Sequence, residues 1–83
     1  MEIFTMGERL MVYRKRAGLT KKELAERAGV SVSTVSNYEN DTPNPDHEIL
    51  SRMALVLDVS LNKLMFGFDD PAKNMPKESL IKD

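Results

Sequence analysis

The stretch Lys21 to Asn40, K-K-E-L-A-E-R-A-G-V-S-V-S-T-V-S-N-Y-E-N, reads as two short helices meeting across a tight turn. A turn of three or four residues that folds one helix across another at about 100° needs a small residue at the closest crossing and one tolerant of positive φ at the bend. Ala25 and Gly29 stand at those places. Thr20 and Glu23 form a capping box at the start of the first helix, with Leu19 placed to staple onto Leu24. Ser31 caps the second, with Val30 placed to staple onto Val35. Leu24, Val30, Val35 and Tyr38 then point inward and lock the angle between the helices.

One face of the second helix is left over. Val32, Ser33, Ser36 and Asn37, at i, i+1, i+4 and i+5, share a side opposite Val35 and Tyr38. It is small, polar and uncharged. Such a helix enters the roughly 12 Å major groove of duplex DNA unobstructed, where Asn pairs bidentately with adenine, Ser serves several bases and Val touches a thymine methyl. The competing reading is a surface helix on which Ser and Asn only meet water.

Outward from this pair, Gly18, Pro43, Pro45, Gly67 and Pro71 divide the chain into short pieces with helical rather than alternating periodicity. A helix is predicted from about Thr5 to Ala17, with a Thr5–Glu8 capping box and Met6, Leu10, Tyr13 and Ala17 on its buried face. Another follows Asp46 and presents Ile49, Leu50, Met53, Ala54 and Leu57. The last is capped by Ser60 and carries Leu61, Leu64, Met65 and Phe66. No window alternates apolar and polar residues, so the fold class is all-α, with five helices. Residues 1–68 form the predicted domain; residues 69–83, with two prolines and few apolar side chains, are expected to be a mobile polar tail.

Composition agrees with one small domain. The chain has 83 residues, 41% of them apolar, and no Cys or Trp, which removes disulfides, thiolate metal sites and thiol nucleophiles and suits a reducing cytoplasm. No apolar run is long enough to span a membrane, and no basic-then-apolar leader opens the chain. Net charge is −1, unevenly placed: residues 1–40 carry seven Lys/Arg and five acids, residues 41–83 five and eight. A modestly positive half precedes a negative one. Catalysis has little to stand on. The single His, His47, lies between Asp46 and Glu48 at a helix start, where capping explains the acids. No phosphate loop, metal-ligand spacing or nucleophile–base arrangement is present, so no enzyme, cofactor, metal or small-molecule ligand is expected.

From Gly7 to Leu64 the chain resembles the Cro/C1-type (xenobiotic-response-element, phage-repressor-like) helix-turn-helix family. The resemblance rests on G-E-R-L at Gly7 to Leu10, Arg14, G-L-T at Gly18 to Thr20, E-L-A at Glu23 to Ala25, G-V-S at Gly29 to Ser31, Val35, Y-E-N at Tyr38 to Asn40, Pro45, and L-D-V-S-L-N-K-L at Leu57 to Leu64. It implies a lambda-repressor-like fold with helices two and three as the helix-turn-helix. It also implies that helix three lies in the major groove, where Val32, Ser33, Ser36 and Asn37 read bases. Lys21 falls where the family usually has Gln, a phosphate contact that also braces the recognition helix at Ser33; the lysine is a cation without the amide's second role. Thr34 and Asn40 match phosphate-contact positions, to which free N–H groups at the starts of helices two and three add. Arg14 and Glu39 match an internal ion pair tying helix one to the end of helix three.

Two departures stand out. The loop N-D-T-P-N-P after helix three lacks basic residues, and Asp41 is expected to bring negative charge near the DNA face. A two-fold dimer spanning half-sites about 34–36 Å apart would offset weak binding by one copy. Leu61, Met65 and Phe68 are the expected partner contacts, with Met11 and Val12 also in excess of one core. The expected function is a sequence-specific duplex-DNA-binding transcriptional repressor, cytoplasmic and bacterial or phage-encoded, acting as a homodimer. The alternative is a protein-binding module on the same fold, an antitoxin or antirepressor.

Overall fold

The structure is a computed structural model that describes residues 4–68. Among them are five helices and no strand: α1 Met6–Arg16, α2 Lys21–Ala28, α3 Val32–Glu39, α4 His47–Leu57 and α5 Leu61–Phe66. The tail expected over residues 69–83 lies outside the described residues.

Each helix begins at a side chain that accepts one of its unsatisfied N–H groups: Thr5, Thr20, Ser31, Asp46 and Ser60. The boxes at Thr5–Glu8 and Thr20–Glu23 are reciprocal, with both side chains bonded to backbone. Gly29 ends α2 at φ +73, and Val30 N–H closes back on the Ala25 carbonyl at 2.9 Å. These local devices leave no slack between α2 and α3.

Packing follows from the apolar stripes. Leu24, Ala25 and Ala28 of α2, Val35 and Tyr38 of α3, and Leu50, Met53, Ala54 and Leu57 of α4 meet Leu10, Leu19 and Leu64 in one core. The α3 helix lies against α2 and α1, while α4 and α5 close the other side. Tyr38 is buried, but its hydroxyl accepts the Asp46 N–H at 2.8 Å, which anchors the loop before α4.

The buried face of α1 differs from the expected one. Gly7, Leu10 and Arg14 face inward, Met6 and Tyr13 are half-buried, and Ala17 is exposed as the C-cap. Hydrophobic periodicity has no means of registering a glycine buried for its smallness or an arginine buried because it is paired. Phe66, two residues past the buried Leu64, lies off its face and is 57% exposed.

Candidate nucleic-acid interface

Helix α3 has an inner face rich in partners and an outer face with few. Inward, Val35 is fully buried, and Tyr38 and Glu39 are buried with it. Outward, Val32, Ser33 and Asn37 are exposed, and none of their side chains is hydrogen-bonded to another described residue. Ser36 and Thr34 flank them, half-buried. No described segment covers this surface, and it carries no charge before Glu39.

The rear of α3 is held at several points. Arg14 grips Glu39 from α1, Nε to Oε2 at 2.6 Å and Nη2 to Oε1 at 3.2 Å, and Nη1 donates to the Leu19 carbonyl at 2.9 Å. Both side chains are less than a tenth exposed. A buried two-pronged pair with its third donor also satisfied fixes direction as well as distance. Gly7 lies so close to the end of α3 that an added Cβ would sit 2.5 Å from the Glu39 carbonyl oxygen and 2.7 Å from that of Tyr38. Helices α1 and α3 therefore touch backbone to backbone.

Asp41 takes part in the same junction. Its carboxylate accepts the Gly7 N–H at 2.8 Å and the Thr5 hydroxyl at 2.6 Å. Its negative charge is thus turned onto the N-terminus of α1, where the helix dipole favours it, and is not free toward the outer face of α3. Asp41 adopts φ +61, a left-handed conformation that Asp tolerates. Proximity in sequence to α3 gave no sign of this pairing across 34 residues.

The remaining expected residues fall around the outer face. Lys21, the first residue of α2, brings Nζ to 3.4 Å from Ser36 Oγ rather than to Ser33. The Thr34 hydroxyl pairs with Ser31 Oγ at 2.9 Å, and Asn40 is the exposed C-cap of α3. His47 is exposed at the start of α4. Of the expected dimer contacts, Leu61 and Met65 pack half-buried against the core and Phe68 is 63% exposed; Met11 and Val12 are half-buried.

Arg9 escaped sequence reasoning altogether. Its guanidinium donates to the carbonyls of Leu64 at 2.9 Å, of Phe4 at 2.6 Å, and of Met65. A cation there satisfies the last carbonyls of α5 and opposes the negative end of its dipole. The only signal was the arginine within G-E-R-L, which no local rule connects to a carbonyl 55 residues away.

Residues 10–64 match the family model described as Helix-turn-helix. The chain belongs to that family. Its form is the Cro/C1 type, and the fold is that of lambda-repressor-like DNA-binding domains. This helix-turn-helix chain is 35% identical over 78 residues to the HTH-type transcriptional regulator ImmR of Bacillus subtilis, covering 94% of its own length and 61% of ImmR. Among solved structures it resembles SinR, the master regulator for biofilm formation, in complex with DNA: 41% identity and a TM-score of 0.69 over 72% of this chain and 97% of that one. It also resembles the P22 c2 repressor in complex with a synthetic operator, at 29% identity and a TM-score of 0.74, over 80% of this chain and all of that one. No helix among the described residues is long and apolar enough to cross a membrane.

Proposed function

We propose that this helix-turn-helix chain is a sequence-specific duplex-DNA-binding transcriptional repressor, with α3 in the major groove and two copies on a short palindromic operator. The observation that carries the reading is the outer face of α3, where short uncharged side chains project free of the rest of the described chain from a helix fixed rigidly behind. Similarity to the operator complex of the P22 c2 repressor and the DNA complex of SinR supports it. In this reading Val32, Ser33, Ser36 and Asn37 meet base edges, and Lys21, Thr34 and Asn40 meet phosphate. The second copy is met through the end of α5, where Phe68 offers the exposed apolar surface and Leu61 and Met65 support it from the core. The protein-binding alternative drew on the net negative charge, the surplus apolar residues and Asp41; of these, the Asp41 carboxylate is engaged by α1.

Binding to duplex DNA at two salt concentrations tests the reading. Affinity should fall with salt by about one unit of logarithmic slope for each phosphate neutralised. Asn37→Ala should lose about 1–3 kcal/mol of discrimination per half-site. If that variant separates selected from random duplex as well as the parent does, Asn37 does not read a base.

A further inference from the structure

The Lys21 side chain begins on α2 but ends at the outer face of α3, its Nζ 3.4 Å from Ser36 Oγ and both residues half-buried. An ammonium has three N–H donors and no acceptor, so in this contact the Ser36 oxygen accepts. A hydroxyl that gives a lone pair to a cation turns its proton away from it. The Ser36 O–H is then left able to donate toward the open side of the helix, beside the remaining N–H groups of Lys21. Neither residue contributes to an ion pair among the described residues. The result is two adjacent donors under one positive charge.

We propose that Lys21 and Ser36 together read a guanine, so that Lys21 is a specificity-determining residue and not only a grip on phosphate. The inference rests on α3 being a DNA reader. Guanine is the base whose major-groove edge offers two acceptors, O6 and N7; adenine sets a donor beside its acceptor, cytosine offers a donor, and thymine one acceptor and a methyl. A base amine brought against this site would place donor against donor next to a full cation. Glutamine at position 21 would not impose this choice, because its amide can offer either its oxygen or its nitrogen to Ser36 and leaves the hydroxyl free to reverse.

The test selects binding sites for the whole chain from a random duplex pool. Each guanine of the selected site is then replaced in turn by 7-deazaguanine, which lacks N7, or 2-aminopurine, which lacks O6. At one guanine in each half-site both analogues should weaken the parent by about five- to 150-fold. Lys21→Met and Ser36→Ala, already weaker on guanine, should each lose the response to one of the two analogues there and respond like the parent elsewhere. Lys21→Gln should accept adenine at the same position. Two variants reporting on one base keep the test decisive if either folds poorly. A Lys21→Met variant that loses the same factor on every duplex, random ones included, with its analogue response intact, overturns the proposal in favour of a phosphate contact. If the parent enriches no sequence, DNA reading itself fails; enrichment without a Lys21-dependent guanine defeats this proposal alone.

Discussion

The two ends of α3 are fixed by different means. Its N-terminal end is set by devices within a dozen residues: the Thr20–Glu23 box, the left-handed Gly29, the Val30 bond to Ala25 and the Ser31 cap. Its C-terminal end is set by partners from α1 and the following loop: Arg14 on Glu39, Gly7 under two carbonyls, and Asp41 on the start of α1. Local devices hold the helix in place in the chain; the distant ones aim it. In the proposed function α3 must be aimed, because a small tilt would move every outer side chain off its base.

If aiming is the larger task, the largest losses should come from the C-terminal end. Glu39→Ala strands the Arg14 guanidinium in the interior and should cost about 3–5 kcal/mol, read by denaturant unfolding. Replacing both partners by apolar residues, Arg14→Met with Glu39→Leu, should restore much of that stability while leaving operator discrimination impaired, since packing returns and direction does not. If the double variant recovers discrimination as well, the ion pair serves stability alone.

The two glycines divide along the same line. Gly7→Ala drives a Cβ into the Glu39 and Tyr38 carbonyls, and should cost about 1–3 kcal/mol as an overpacked contact. Gly29→Ala meets nothing nearer than an Arg52 nitrogen at 3.9 Å and suffers only its left-handed backbone, about 1–2 kcal/mol. Amide chemical shifts of Tyr38 to Asp41 separate the two: they should move in Gly7→Ala and stay in Gly29→Ala.

These residues also mark what could be read from the sequence. All five helices, their N-caps and the Ala25–Gly29 turn were legible, because each depends on residues no more than a turn or two apart. The Arg14–Glu39 pairing came through family resemblance, not from spacing. Gly7 and Arg9 were visible only as parts of one motif, and the bonds of Asp41 to the start of α1 were not foreseen. Each of these acts on a carbonyl or amide more than 30 residues away. Pairings of that kind depend on how the helices are stacked, a property that periodicity does not carry.

Asp41 gives a smaller and sharper comparison. Asp41→Ala removes the acceptor for Gly7 N–H and Thr5 hydroxyl and should cost about 0.5–2 kcal/mol, as other lost caps do. Asp41→Asn keeps an acceptor and tolerates the left-handed backbone, so what it still loses against the parent is the charge, about 0.3–1 kcal/mol and weaker in salt. Tighter DNA binding by Asp41→Asn with unchanged stability would return the carboxylate to the DNA face.

The smallest effect lies at the locally built end and is a matter of pH. Glu23 is exposed, and the Thr20 N–H, then the Thr20 hydroxyl, hold its carboxyl below the usual 4.5, with Arg27 adding a weaker pull. A carboxylate whose value is lowered by folding stabilises the folded chain above its ordinary value, and that contribution is lost as pH falls through the lowered one. Acidification below 4.5 should therefore loosen the first turn of α2. A carboxyl-detected NMR titration of Glu23 reads the midpoint directly. Thr20→Ala should raise it only part of the way to 4.5, because the backbone N–H remains. If the midpoint does not move, the hydroxyl takes no part in holding the carboxyl, and of the two Thr20 groups the N–H alone lowers it.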